Sequence, residues 1–481
     1  MSFQSYSFLF VLLPGAVAGW WLLNRGGHGR LAQGFLLAVS LFFYAAGNPA
    51  FLPILCGSIL VNFFLGRALG RWPARRKPLL VLGLLANLGV LGYFKYMNFF
   101  LENLNWLFGT SLGGLSLLLP LGISFFTFQQ IAYLVDRYRG DPADYTLLEY
   151  ACFVSFFPCV TSGPIAFHDE VVPQLRAKQG TGPSAQLMAE GLWLFSLGLW
   201  KKVIVAGAFG GGADWGYANL SALNSTTALA VVLSYTLQLY FDFSGYTDMA
   251  RGIGKLLGIT LPENFDVPYQ ALTIRGFWQG WHITMTRFFT RYLYIPLGGS
   301  RRGTGRTCVN TMIIFLASGL WHGADWSFVV WGGLHGIAMV AERLLGSRLE
   351  RLHPALSWAL TFAYVNFCWI FFRAASIGEG LSLCRVLARC DFGPLANGFT
   401  DQFQLAMPAW LGRELGLDLP RLALGMFLLF TVGALVFCLQ EKPAAQRSKT
   451  MTGRKGLLAG VLLFWSVISL TGAAQFIYSN F

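Results

Sequence analysis

The chain has 481 residues, 55% of them hydrophobic and only 12% charged, with a formal net charge of +13. A soluble protein carries about a quarter charged residues, and crossing a bilayer core takes roughly 20 mostly apolar ones. Apolar runs such as 79–91, 115–126 and 457–470 therefore exclude a soluble domain and predict an all-α polytopic membrane protein. The positive charge is no nucleic-acid footprint. Arg67, Arg71, Arg75, Arg76 and Lys77 share one short connection, and Lys442, Arg447, Lys449, Arg454 and Lys455 share another. Basic residues so placed mark cytoplasmic loops.

In chain order, spans are predicted at 7–23, 31–46, 50–66, 78–95, 115–135, 146–165, 188–208, 227–245, 308–322, 325–344, 355–373, 421–440 and 457–477. No basic residue precedes the first span, and Arg25 and Arg30 follow it. That is the reverse of a signal peptide, so the span is expected to be retained with its N-terminus outside. Gly47-Asn48-Pro49 then makes an outer turn, and 67–77 falls inside. With 442–455 also inside, the last span ends outside and the number of crossings is even. The set of segments is odd, so at least one does not cross. Interrupted helices at membrane depth need shielding by protein, and some segments are expected to be re-entrant or buried. Residues 391–420 read as a surface loop, and no internal repeat of the transporter kind stands out. One membrane domain, 1–481, accounts for the chain. Eight cysteines without a Cys-x-x-Cys pair suggest neither a zinc site nor a disulfide framework.

Three segments place polar residues where lipid should be. "SGLWHGADWSFVVWGGLHG", 318–336, holds His322, and an ionisable residue inside a membrane is by default a functional-site hypothesis. The plainer reading is a neutral imidazole bonded to a neighbouring helix. "TIRGFWQGWHITMTRFFTRYLYIPLGGSRRG", 273–303, opens on Thr273 as an N-cap and ends at Pro296 and Gly298-Gly299. On one continuous helix, Arg275, Gln279, His282, Thr286 and Thr290 share an arc of roughly 80°, with Phe277, Trp281, Met285, Phe288 and Tyr292 opposite. That stripe suits a tunnel wall; Arg287 and Arg291, off the stripe, keep open an amphipathic helix at the interface. "LQLYFDFSGYTDMARGIGKLLG", 237–258, brings Asp242, Ser244, Tyr246 and Asp248 to the end of an apolar helix. They orient a histidine or line the substrate path on one reading, and make caps and loop bonds on the other. His28, His168 and His353 fall in polar connections. His335 lies about 140° from His322 if one helix carries both, a poor arrangement for one metal. With no Cys or carboxylate at ligand spacing, no catalytic metal is expected.

These segments, with "GYFKYMNFF", "LPLGISFFTFQQIAYLVDRYRGD" and "FPCVTSGPI", resemble the membrane-bound O-acyltransferase (MBOAT) family. The likeness runs from about residue 5 to residue 373 and is strongest to the bacterial, alginate O-acetyltransferase-like branch. It implies a ring of membrane helices with re-entrant pieces around a central tunnel. It also implies His322, in Leu-Trp-His-Gly, as the catalytic histidine and His282, in Trp-His-Ile-Thr, as a second functional one. Two departures stand out: Gln279-Gly280 where relatives read Arg-Arg, and Thr290-Arg291 where they read Arg-Asp.

The function so implied is acetyl transfer from a cytoplasmic thioester, acetyl-CoA, across a bacterial inner membrane. The acceptor is an exported polysaccharide, alginate- or cellulose-like, or a periplasmic acetyltransferase or carrier protein. Histidine has a suitable ordinary pKa, about 6.5, so His322 is expected to act as general base. His282 is expected to polarise the thioester carbonyl or orient the acceptor. Trp281, Trp321, Gln279, Thr286, Asp242, Ser244, Tyr246 and Asp325 are expected to line the tunnel or substrate path, Asp325 as an orienting partner. No bound cofactor and no nucleic-acid partner are expected. Rival readings are a polysaccharide or lipid flippase with proton-coupling histidines, a scaffold for a synthase complex, and an acyltransferase using D-alanyl or longer groups.

Overall fold

The structure, a computed structural model, describes all residues except 143, 350, 404–413, 415, 417–418, 447–449 and 471–481. Its helices are α1 (Leu13–Arg25), α2 (Gly29–Ala45), α3 (Leu52–Arg71), α4 (Arg76–Leu91), α5 (Met97–Phe108), α6 (Ile123–Tyr138), α7 (Leu147–Ser155) and α8 (His168–Ala177). Then come α9 (Ala185–Trp200), α10 (Gly207–Ala218), α11 (Ser225–Leu256), α12 (Ile274–Gly280), α13 (Ile283–Phe289), α14 (Gly303–His322), α15 (Trp326–Leu349) and α16 (Pro354–Arg373). The last are α17 (Ile377–Ala388), α18 (Asn397–Thr400), α19 (Leu419–Gln440) and α20 (Gly453–Ile468). Among the described residues there is no strand, only one isolated bridge between Phe265 and Trp281.

Seven helical stretches among the described residues are long and apolar enough to cross a bilayer: Phe8–Arg25, Pro49–Arg71, Pro73–Phe108, Ala185–Ala218, Trp326–Gly346, Pro354–Arg373 and Arg421–Gln440. The chain is a multi-pass membrane protein. Helix α11 organises it. Its 32 residues extend about 48 Å at 1.5 Å per residue, and nearly all are buried. A helix buried on every side needs no polar face. Its first half packs in one core with α10 and α12–α16, and its second half in another with α1–α4 and α6–α8.

Several predicted spans are redrawn. The segment 115–135 is helical only from Ile123, because Pro120 and Gly122, the latter with φ +72°, turn the chain first. The segment 146–165 holds the nine-residue α7 and then a buried irregular stretch, too short a helix to cross. Residues 227–245 belong to the much longer α11. The predicted 78–95 span continues through a π turn, Gly92–Tyr96, into α5. Residues 391–420 are not simply a surface loop. Phe399 and Phe403 are buried there against Phe427 of α19; residues 404–413, 415 and 417–418 of that stretch, like 471–477 of the last predicted span, lie outside the described residues.

Candidate active site

His322 is the last residue of α14, and α15 starts at Trp326. The two helices form a tight antiparallel hairpin because glycines stand at their contact. A Cβ on Gly319 would lie 2.3 Å from the Phe328 carbonyl oxygen, and one on Gly332 2.3 Å from that of Phe315. Only glycine permits this approach. The hairpin turns the imidazole inward, where it is 1% exposed. Its ring centroid lies 4.9 Å from Trp321, 5.1 Å from Trp331 and 5.1 Å from Phe372. The His282 ring is 6.2 Å away and fully buried.

His282 does not sit on a continuous helix. The predicted helix over 273–296 breaks between α12 and α13, with Trp281 extended and His282 left-handed at φ 47°, ψ 51°. The cause is a neighbouring strand-like segment. Asp266 N–H donates to the Gly280 carbonyl at 2.9 Å, and Ile283 N–H donates to the Asn264 carbonyl at 3.0 Å. At Gly280 a Cβ would stand 2.3 Å from the Asp266 carbonyl oxygen. This backbone contact leaves no room for a side chain at residue 280. Left-handed conformations are uncommon for residues other than glycine, and this one swings His282 off the polar stripe and toward His322.

The rest of the stripe does share one wall. Arg275, Gln279, Thr286 and Thr290 line a cavity of about 420 Å³, closed on its inner side by Trp278, Met285, Phe315 and Ser318. Met285 and Ser318 sit about one turn from His282 and His322 respectively. Trp281 is buried against Phe277 and Trp369. Trp321 stacks on Phe128 at 5.2 Å and lies 5.8 Å from His282.

Other candidate residues turn elsewhere. Asp242 and Asp248 lie inside α11, not at a helix end. They pair with Lys202 and Lys201, the second pair at 2.8 Å. Tyr246 hydroxyl bonds Thr161 at 2.5 Å, and Ser244 is buried in the same helix. Instead it is Phe243 that reaches the site, edge-on to His282 at 4.8 Å. The Asp325 carboxylate accepts from Ser327 N–H at 2.7 Å, at the start of α15. His335 is buried, and its Nδ1 accepts from Trp278 Nε1 at 3.2 Å. Because His322 and His335 lie on different helices, the angular argument for one helix does not apply; both pack on Trp331 at 5.1 Å. His168 is not in an open polar connection but fully buried, bonded to Tyr145 at 2.8 Å and facing Asp136 at 3.4 Å.

Asn264 was invisible to sequence reasoning, since only the chain's return beside Gly280–Ile283 brings it to His282. Its Oδ1 lies 3.1 Å from His282 Nδ1 and accepts from Thr284 N–H and Oγ1. Nδ1 therefore carries the proton in the neutral ring, and Nε2 presents a lone pair. That Nε2 has no protein partner among the described residues. Such a ring accepts a hydrogen bond from a hydroxyl; it does not donate one to a carbonyl.

Residues 79–378 match the sequence model of the MBOAT, membrane-bound O-acyltransferase family. The chain is 36% identical to a peptidoglycan O-acetyltransferase of Helicobacter pylori, covering 100% of this chain and 97% of that one. It is 39% identical to a probable alginate O-acetylase AlgI of Pseudomonas aeruginosa over 78% of this chain and 73% of that one. A teichoic acid D-alanyltransferase of Bacillus subtilis is 26% identical over 52% of this chain and 68% of its own. All three are named as acyl-transferring proteins, and the chain spans nearly the whole of the first. On the match over residues 79–378 and the likeness along the whole chain, the protein belongs to the membrane-bound O-acyltransferase family and is an acyltransferase.

Proposed function

We propose that the protein moves acetyl groups from a cytoplasmic thioester, acetyl-CoA, to hydroxyls of a polysaccharide outside the bacterial inner membrane. The transfer is direct or passes through a periplasmic acetyl-carrying partner. The observation that carries this reading is the pair His282 and His322, their rings 6.2 Å apart in one buried aromatic pocket. The acetyl group is favoured over D-alanyl because the relatives with greater identity and coverage are named acetylating proteins. The polymers in those two relatives' names, peptidoglycan and alginate, both contain polysaccharide, which supports that acceptor class.

In this reading His322 takes the proton of the acceptor hydroxyl as its oxygen attacks the thioester carbonyl carbon. The C–S bond then breaks, and the imidazolium returns the proton to the departing thiolate, leaving His322 neutral. General-base help of this kind is typically worth about 10²–10⁴-fold. His282, with its lone pair at Nε2, accepts from a second hydroxyl of the acceptor sugar and so orients the one that reacts. Of the two roles expected for it, the bonding at Asn264 favours this one. The donor's amide-bearing arm is suited by the polar lining of Gln279, Thr286 and Thr290, and its phosphates by Arg275 and Arg343 at the same cavity.

The test is acetyl ester formed on polysaccharide by purified protein supplied with labelled acetyl-CoA, alongside the amount of folded protein. His322→Ala should abolish the label at unchanged protein amount. Label incorporation at the wild-type rate by that variant rejects the assignment.

A further inference from the structure

The motif Gly-Tyr-Phe-Lys-Tyr, 92–96, has no role in the chemistry above, yet it places a lysine within a stretch long and apolar enough to span the membrane. Its backbone forms the π turn Gly92–Tyr96, which puts Lys95 and Tyr96 side by side against the end of α14. The Lys95 ammonium donates to the Trp321 carbonyl at 2.5 Å, to the His322 carbonyl at 3.3 Å and to Ser124 Oγ at 3.3 Å. Tyr96 hydroxyl donates to the Leu320 carbonyl at 2.6 Å. Three consecutive carbonyls at the C-terminal end of α14 thus find their donors on this one turn. The last carbonyls of any helix lack intrahelical partners, and a cation there is favoured by the helix dipole. In lipid, unmet carbonyls have no water to turn to. From the same stretch, Asn103 of α5 accepts from Trp326 Nε1 at 2.8 Å, so the reversal at 322–326 is held on both sides.

We propose that Lys95 and Tyr96 are positioning residues for His322. They fix the backbone from which the imidazole projects, so that it meets substrate in one orientation. The inference rests on His322 acting as the base. Misplacing a catalytic group by about 1 Å costs about 10²-fold in rate.

The experiment measures kcat and KM for acetyl-CoA on purified full-length protein carrying Lys95→Met, Lys95→Arg, Tyr96→Phe or His322→Ala, per folded molecule. Lys95→Met should lower kcat by about 10²-fold with KM nearly unchanged. Lys95→Arg, which keeps a cation able to donate to the same carbonyls, should recover most of that loss, and Tyr96→Phe should lower kcat less. Wild-type kcat in Lys95→Met, or a loss confined to KM or to yield, overturns the proposal. If Lys95→Met does not fold, Tyr96→Phe decides: a lowered kcat supports positioning, an unchanged one overturns it. Wild-type activity in His322→Ala removes the base assignment itself, and this inference with it.

Discussion

Asn264 Oδ1, 3.1 Å from His282 Nδ1, determines that Nε2 is the nitrogen of that ring left without a proton. Three donors converge on the one oxygen, and two of them come from Thr284. Because a backbone N–H can only donate, the assignment of oxygen rather than amide nitrogen at this position follows from chemistry. The same contact holds His282 in its left-handed conformation, since Asn264 also pairs through its backbone with Ile283. Backbone and side chain of one asparagine thus fix both the place and the tautomer of His282.

Asn264→Leu should lower kcat by about 10²-fold, the lower end of what general acid–base groups contribute, and should reduce stability because Thr284 N–H loses its acceptor. Asn264→Asp keeps an acceptor in place and should retain more activity. Steady-state kinetics on both variants check this. Equal losses would show that the oxygen is not what matters.

Gly280→Ala should be more damaging than its position in a short helix suggests. The new Cβ meets the Asp266 carbonyl at 2.3 Å, and backbone must move to relieve it. Overpacking of this kind costs about 1–3 kcal/mol, and the displacement reaches His282 two residues on. Gly305→Ala, where a Cβ has nothing within 4 Å, is the control. Thermal unfolding in detergent and acetyl transfer should separate the two; comparable behaviour would remove the steric argument.

What was legible in the sequence depended on range. The membrane class, most helices and the choice of His322 as a candidate came from local signals: apolar runs, charge placement and a titratable residue amid aromatics. His282 was singled out for an incomplete reason. The stripe argument needed an unbroken helix, and Gly280 together with the long-range bridge to Asn264–Asp266 breaks it. Asp242 and Asp248 looked like site residues because their lysine partners stand some forty residues earlier, in the π segment Lys201–Ala206 that follows α9. Lys95 was in plain view in a quoted motif. Its partners are carbonyls more than 200 residues away, and carbonyls leave no trace in composition. Periodicity reads elements, while tertiary returns decide which polar side chains meet.

Outside the spanning helices, Glu149 caps α7 with Thr146 and receives Arg176 at 2.6 and 2.8 Å. Hydrogen bonds from the Arg176 guanidinium hold its carboxyl down at about 2, below the ordinary 4.5. A depressed carboxylate stabilises the fold fully above its unfolded pKa and loses that contribution as pH falls toward its folded one. Glu149→Gln should therefore melt below wild type by a constant margin above about pH 5, with the margin shrinking between 4.5 and 2. Melting curves across that range check it. A margin that widens on acidification contradicts the sign.

The paired lysines of the π segment after α9 give the last prediction. Lys202 and Asp242 are buried together, with side chains 5% and 8% exposed. Removing one partner of a buried pair leaves an uncompensated charge and costs about 3–5 kcal/mol, whereas replacing both with apolar residues of similar size is often neutral. Asp242→Asn should therefore sharply lower the yield of folded protein, and Asp242→Leu with Lys202→Met should restore it. Activity decides what the pair is for. Since Asp242 faces Lys202 while its neighbour Phe243 faces His282, the folded double variant should transfer acetyl groups at close to the wild-type rate per molecule. A double variant that folds well and transfers nothing would return Asp242 to the substrate path. Yield by size-exclusion chromatography and label incorporation on the same preparations give both readings at once.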